Sequence, residues 1–135
     1  MSWTGYITGE GGLLAQYNRI ACAGIFGKNG STYAQAGMDH VQTNYTEILS
    51  LAALFTDPAS GFSSGIEFNG KSFALLRVED KILHAKGKGE GAMYPMTVQM
   101  TQQAMVIAIG HHDAFAGSVS AAVGKIADYL EDNGF

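Results

Sequence analysis

Four aromatic residues, three of them near the two ends of the sequence, could carry recognition chemistry. Trp3 and Tyr6 lie one helical turn apart, so their rings can share a face. Tyr129 falls at the edge of an apolar helical stripe through Val123 and Leu130, half packed and half accessible. Tyr33 stands near a hairpin and could join them. If the terminal helices are neighbours, these rings form a shallow groove suited to a polyproline II segment. Flat rings fit flat rings, and the indole N–H and tyrosine hydroxyls reach the ligand's free carbonyls. The same pattern also fits aromatics that close a small core.

The second set is basic. Five of the eight Lys and Arg fall between positions 71 and 88: Lys71, Arg77, Lys81, Lys86 and Lys88. Only Glu79 and Asp80 oppose them, which leaves the stretch locally about +3 in a chain of net charge -4. Such a face can steer an acidic protein or an anionic lipid headgroup, and it also fits an ordinary solvated sheet rim. The glycine-rich run at 86–91 lacks the order of a phosphate-binding loop and is not followed by a helix. His111, His112 and Asp113 are the only cluster resembling an active site. They come without a nucleophile elbow, and His40 and His84 give no metal-ligand spacing with them. A small hydrolase or nucleotide-handling enzyme using His111 and His112, and a scaffold subunit, are the alternatives to a binding module.

The chain of 135 residues predicts one domain over 1–135. With 47% apolar and 15% charged residues it reads as globular, and no run approaches a membrane span of roughly 18 apolar residues. The acidic balance argues against nucleic acid as the main partner. The single cysteine, Cys22, excludes an internal disulfide and points to a reducing compartment.

The elements that must position these residues follow from periodicity. A glycine-interrupted helix is predicted over 2–15, then strands at 17–26 and 31–35 around Asn29-Gly30. A helix over 45–55 would bury Tyr45, Ile48, Leu49, Ala52 and Phe55, with Asn44 and Glu47 as a capping box. Strands are predicted at 65–68, 72–78, 81–85, 93–100 and 103–109, with a turn at Asn69-Gly70. A helix over 117–133 would bury Val119, Ala122, Val123, Ile126, Ala127 and Leu130. Successive hairpins make an antiparallel sheet, so the class is α+β with the terminal helices available to cover one face.

Six segments, in order, resemble the profilin family, closest in pattern to its plant and amoeboid members. They are Met-Ser-Trp-Thr-Gly-Tyr at the start, Gly27–Gln35, Asn69-Gly-Lys71, His84–Gly91, Met96–Ile107 and Asp128–Phe135. The resemblance implies an antiparallel sheet with both terminal helices on one face and short helices on the other. It implies no enzymatic activity, no cofactor and no metal. It implies one-to-one binding of monomeric actin, faster actin nucleotide exchange, and delivery of actin to proline-rich elongation factors such as formins, in the cytoplasm at the cytoskeleton and cell cortex. Carried over by position, the polyproline groove is Trp3, Tyr6, Tyr33 and Tyr129. The actin surface is Lys71, Lys86, Lys88, Gln99, Phe115, Gly117, Ser120 and Lys125. Lys71, Lys86 and Lys88 also match a phosphoinositide patch at the membrane surface. Tyr33 stands where many relatives carry tryptophan, Gln99-Met100 replaces a basic pair, and Ser120 replaces a common asparagine.

Overall fold

A computed structural model describes residues 3–37, 45–69, 71–88 and 94–135. Seven strands form one antiparallel sheet: β1 (Ile20–Gly27), β2 (Thr32–Ala36), β3 (Ile66–Phe68), β4 (Lys71–Glu79), β5 (Ile82–Gly87), β6 (Pro95–Met100) and β7 (Ala104–Gly110). Their order is β2-β1-β7-β6-β5-β4-β3, so β3 to β7 form a meander and β1 docks on β7. The expected strands are all present, with ends moved by no more than three residues.

Turn chemistry sets the register. Phe68 pairs with Lys71 across a two-residue connection, and Asn69 takes the left-handed backbone (φ 53) that such a turn requires. Gly70 lies outside the described residues. The other Asn-Gly sits in a longer loop, where Phe26 pairs with Thr32 past a register shift. There the Asn29 side-chain oxygen accepts from the Ser31 N–H at 3.1 Å and Gly30 carries φ 96.

Strand alternation divides the interior into two layers. On one face, α1 (Gly5–Thr8), α2 (Leu13–Gln16) and α5 (Ala116–Asp132) pack on the sheet. Ile7, Leu13, Val106, Val123, Ile126 and Leu130 are buried together there. The stripe expected for the last helix is the buried stripe of α5, residue for residue. The other face is covered by α3 (Tyr45–Leu54) and α4 (Ala59–Ser64), over Phe26, Phe68, Phe73, Leu83 and Ile107. The fold is therefore α+β, with terminal helices on one side and short helices on the other.

Two expectations need correction. The N-terminal helix is two single turns, because Gly11 adopts φ 77 and a side chain at Gly9 would meet the Gly5 carbonyl oxygen at 2.5 Å. The buried side of α3 is Ile48, Leu51 and Leu54, whereas Tyr45 is 60% exposed. Residues 48–55 are apolar except for Ser50, so periodicity there does not select a face. Asn44, half of the expected capping box, lies outside the described residues, while Glu47 Oε1 accepts the Asn69 backbone N–H at 3.1 Å.

Leu51→Ala should therefore cost about 2–5 kcal/mol of unfolding free energy in a urea titration. A loss well under 1 kcal/mol would contradict the burial assigned to α3.

Candidate functional site

The groove is built from three chain segments that the sheet brings together. Trp3 precedes α1, and the Tyr6 N–H donates to the Trp3 carbonyl at 3.1 Å. Tyr33 belongs to edge strand β2, and its ring stacks on Trp3 with centroids 4.9 Å apart and planes 25° apart. Tyr6 lies 6.0 Å from Trp3 and 5.8 Å from Tyr129 of α5, tilted against both. All four predicted rings thus form one chain. It is not sealed: Trp3 and Tyr6 are half-buried, Tyr33 is 37% exposed and Tyr129 51%.

A fifth ring escaped the sequence reading. Phe135 meets Trp3 edge-to-face at 5.1 Å and 74°. Its backbone oxygen accepts from the Thr101 hydroxyl and the Gln103 N–H, each at 2.6 Å, and its N–H donates to the Leu130 carbonyl at 2.9 Å. The signal was an aromatic residue just past the helix-stopping Asn133-Gly134. Glycine also shapes the hairpin: a side chain at Gly27 would come within 2.8 Å of the Tyr33 hydroxyl.

The second candidate surface is less unified. Cross-strand pairing sets Lys86 beside Ala74 and Pro95, and Gln99 beside Ile82, on the face that α5 covers. Gln99 Nε2 donates to Asp128 of α5 at 3.2 Å, and Lys81 Nζ meets Glu131 at 2.8 Å. That hydrogen bond, more than the attraction of opposite charge, raises the Lys81 pKa. Ser120 shares this edge of α5, since it lies one turn before Gly124, whose neighbour is Gln99. Phe115, 76% exposed, and Gly117 stand at the start of α5.

Two lysines depart from this group. Lys71 alternates with Phe73 and Leu75, and its ammonium lies 5.3 Å over the Tyr94 ring, on the opposite face from Lys86. Lys88 Nζ lies against Gly65, at the entry to β3. The three lysines expected to form a phosphoinositide patch are therefore not gathered. Lys125 lies on the opposite edge of α5, lining a cavity with Tyr6 and Tyr129.

The glycine loop at 86–91 falls partly, and His40 wholly, outside the described residues. His111, His112 and Asp113 are exposed, and Asp113 is 3.5 Å from Arg19. None of the three lines the cavities at the groove or the larger one of about 450 Å³ between α3, α4 and β3.

An α+β sheet carrying an open aromatic cleft between its chain ends defines a small protein-recognition module. The family model for profilin matches residues 1–135, and the chain belongs to the profilin family. A sea urchin profilin (Strongylocentrotus purpuratus) is 35% identical over 144 residues, covering 97% of each chain. The crystal structure of Acanthamoeba castellanii profilin II has a TM-score of 0.83 at 27% identity, covering 99% of this chain and 100% of the other. Mouse profilin IIa, solved in complex with a double repeat from the FH1 domain of mDia1, gives a TM-score of 0.82 at 20% identity, with both chains covered completely.

Beside Lys86 on this sheet face, His84 pairs with Thr97 and Arg77. Partial burial, and then the Arg77 charge, lower its pKa below the ordinary 6.5, while Glu79 pulls weakly the other way. The neutral form is the one the fold favours. This contribution to stability is complete above pH 6.5 and is lost as pH falls through the lowered folded value. His84→Gln should narrow the difference in urea midpoint between pH 7.5 and pH 5 relative to the parent. An unchanged difference would contradict the assigned environment.

Proposed function

We propose that this chain is an actin-monomer-binding protein that also holds proline-rich segments, such as those of formins, and so regulates actin polymerisation in the cytoplasm. Membership of the profilin family supports both activities. The observation that carries the reading is the open ring chain Tyr33–Trp3–Tyr6–Tyr129. A polyproline II helix repeats every three residues, about 9 Å, so every third ring returns to the same side and can meet the row of aromatic planes. Its carbonyls have no internal partners and can accept from indole and hydroxyl donors.

Actin binds, in this reading, on the surface around Lys86, Gln99 and Ser120, with Phe115 and Gly117 at the start of α5. Lys88 comes from its border, whereas Lys71, on the other sheet face, and Lys125, on the groove edge of α5, are left out of it. Between Tyr33 on β2 and Lys86 on β5 lie four inter-strand steps, about 19 Å of sheet. That separation lets one molecule hold actin and a proline-rich segment together. Acceleration of nucleotide exchange then needs no catalytic group. A ligand that binds the form of actin with the more open nucleotide cleft raises the population of that form. Among the described residues, no helix is long and apolar enough to cross a membrane.

The two surfaces predict opposite phenotypes. Trp3→Ala should weaken decaproline binding about 30-fold, the loss typical of a central aromatic anchor, and leave actin association intact. Lys86→Glu should weaken actin association about fivefold or more and spare decaproline. Calorimetry with each ligand measures both, and parallel losses in a folded variant would contradict two separate surfaces.

A further inference from the structure

The groove does not end at Tyr129. A cavity of about 290 Å³ is lined by Tyr6 and Tyr129 together with Glu10, Gly12, Lys125 and Ile126. A second, also about 290 Å³, is lined by Gln16, Tyr17, Ser118, Ala121, Ala122 and Lys125. Lys125 is a wall of both. The two therefore adjoin at Lys125, along the seam between the N-terminal helices and α5.

The two cavities differ in charge chemistry. Glu10 faces only the first cavity, and no carboxylate lines the second. Lys125 is not among the ion pairs of the described residues, which are Arg19–Asp113, Arg77–Glu79 and Lys81–Glu131. The Tyr17 hydroxyl accepts the Phe115 N–H at 3.0 Å, which leaves its own proton free to donate. Ser118 supplies a second hydroxyl. Gln16 is already engaged, donating to the Gly11 carbonyl at 2.6 Å. The second cavity thus offers one ammonium and two hydroxyl donors, a set complementary to a carboxylate.

We propose that a proline-rich segment bound on the aromatic rings continues into this second cavity and sets an aspartate or glutamate side chain against Lys125, Tyr17 and Ser118. The proposal rests on the polyproline reading of the groove and adds a sequence preference to it. Tyr129 and Ala121 are eight residues apart on α5, about 12 Å along its axis. A polyproline II chain covers that in about four residues. The acidic residue therefore falls about four positions from the proline seated on Tyr129. Glu10 repels an acid placed closer, so the position is selective.

The test uses the intact protein and end-capped decaproline peptides carrying one glutamate at either flank, with glutamine counterparts. In one orientation the glutamate peptide should bind about two- to fivefold tighter than its glutamine partner, the range of a solvent-accessible ion pair. In Lys125→Gln that ratio should fall to about one, and 0.5 M salt should shrink it in the parent. Equal affinity of glutamate and glutamine peptides in both orientations would overturn the proposal, as would a ratio that survives Lys125→Gln. Failure of plain decaproline to bind would overturn the groove itself and this extension with it.

Discussion

The packing of α5 against the two N-terminal helical turns on one face of the sheet is the constraint on which the rest depends. The single turns α1 and α2 are too short to be stable alone, and they hold because Ile7 and Leu13 are buried with Val123, Ile126 and Leu130. That contact fixes Tyr6 beside Tyr129 and delivers Trp3 to the hairpin that carries Tyr33. The ring groove is thus a by-product of core burial on its inner side. Its rings are pre-placed, so a ligand bound there, as proposed, would find most of the ordering cost already met.

The far end of the chain closes the same arrangement. Thr101 and Gln103, in the β6–β7 turn, hold the Phe135 backbone, and the Phe135 ring in turn supports the edge of Trp3. Trp3 is consequently in ring contact with Tyr6, Tyr33 and Phe135. The α5 helix also separates two chemistries. Its Asp128–Glu131 edge ties to β6 through Gln99 and to the β4–β5 turn through Lys81, while its Lys125–Tyr129 edge faces the groove.

The fold was legible where one physical rule acted alone. The α5 stripe was readable because polar residues separate its apolar positions, and the strand sequence because turn residues punctuate it. The stripe of α3 was not, because Ile48 to Phe55 is apolar on nearly every side and only tertiary contact chooses among them. The aromatic groove could be anticipated from ring positions, but Phe135 could not, since its place depends on hydrogen bonds to a turn some thirty residues earlier in the chain. Lysines were the least legible. Lys71 and Lys86 share a local run of positive charge in sequence, yet strand alternation sends them to opposite faces. The separation of Lys125 from Gln99 needed the rotation of α5 about its axis, which burial fixes and charge pattern does not.

Trp3 is the only tryptophan of the chain, so its fluorescence reports the groove directly. Titration with a proline oligomer, against a glycine-serine peptide of equal length, tests the central claim. A saturable change in Trp3 emission with the proline oligomer alone is the predicted result. An emission spectrum unaltered by saturating proline oligomer, or altered equally by both peptides, would contradict an aromatic groove open to such a ligand.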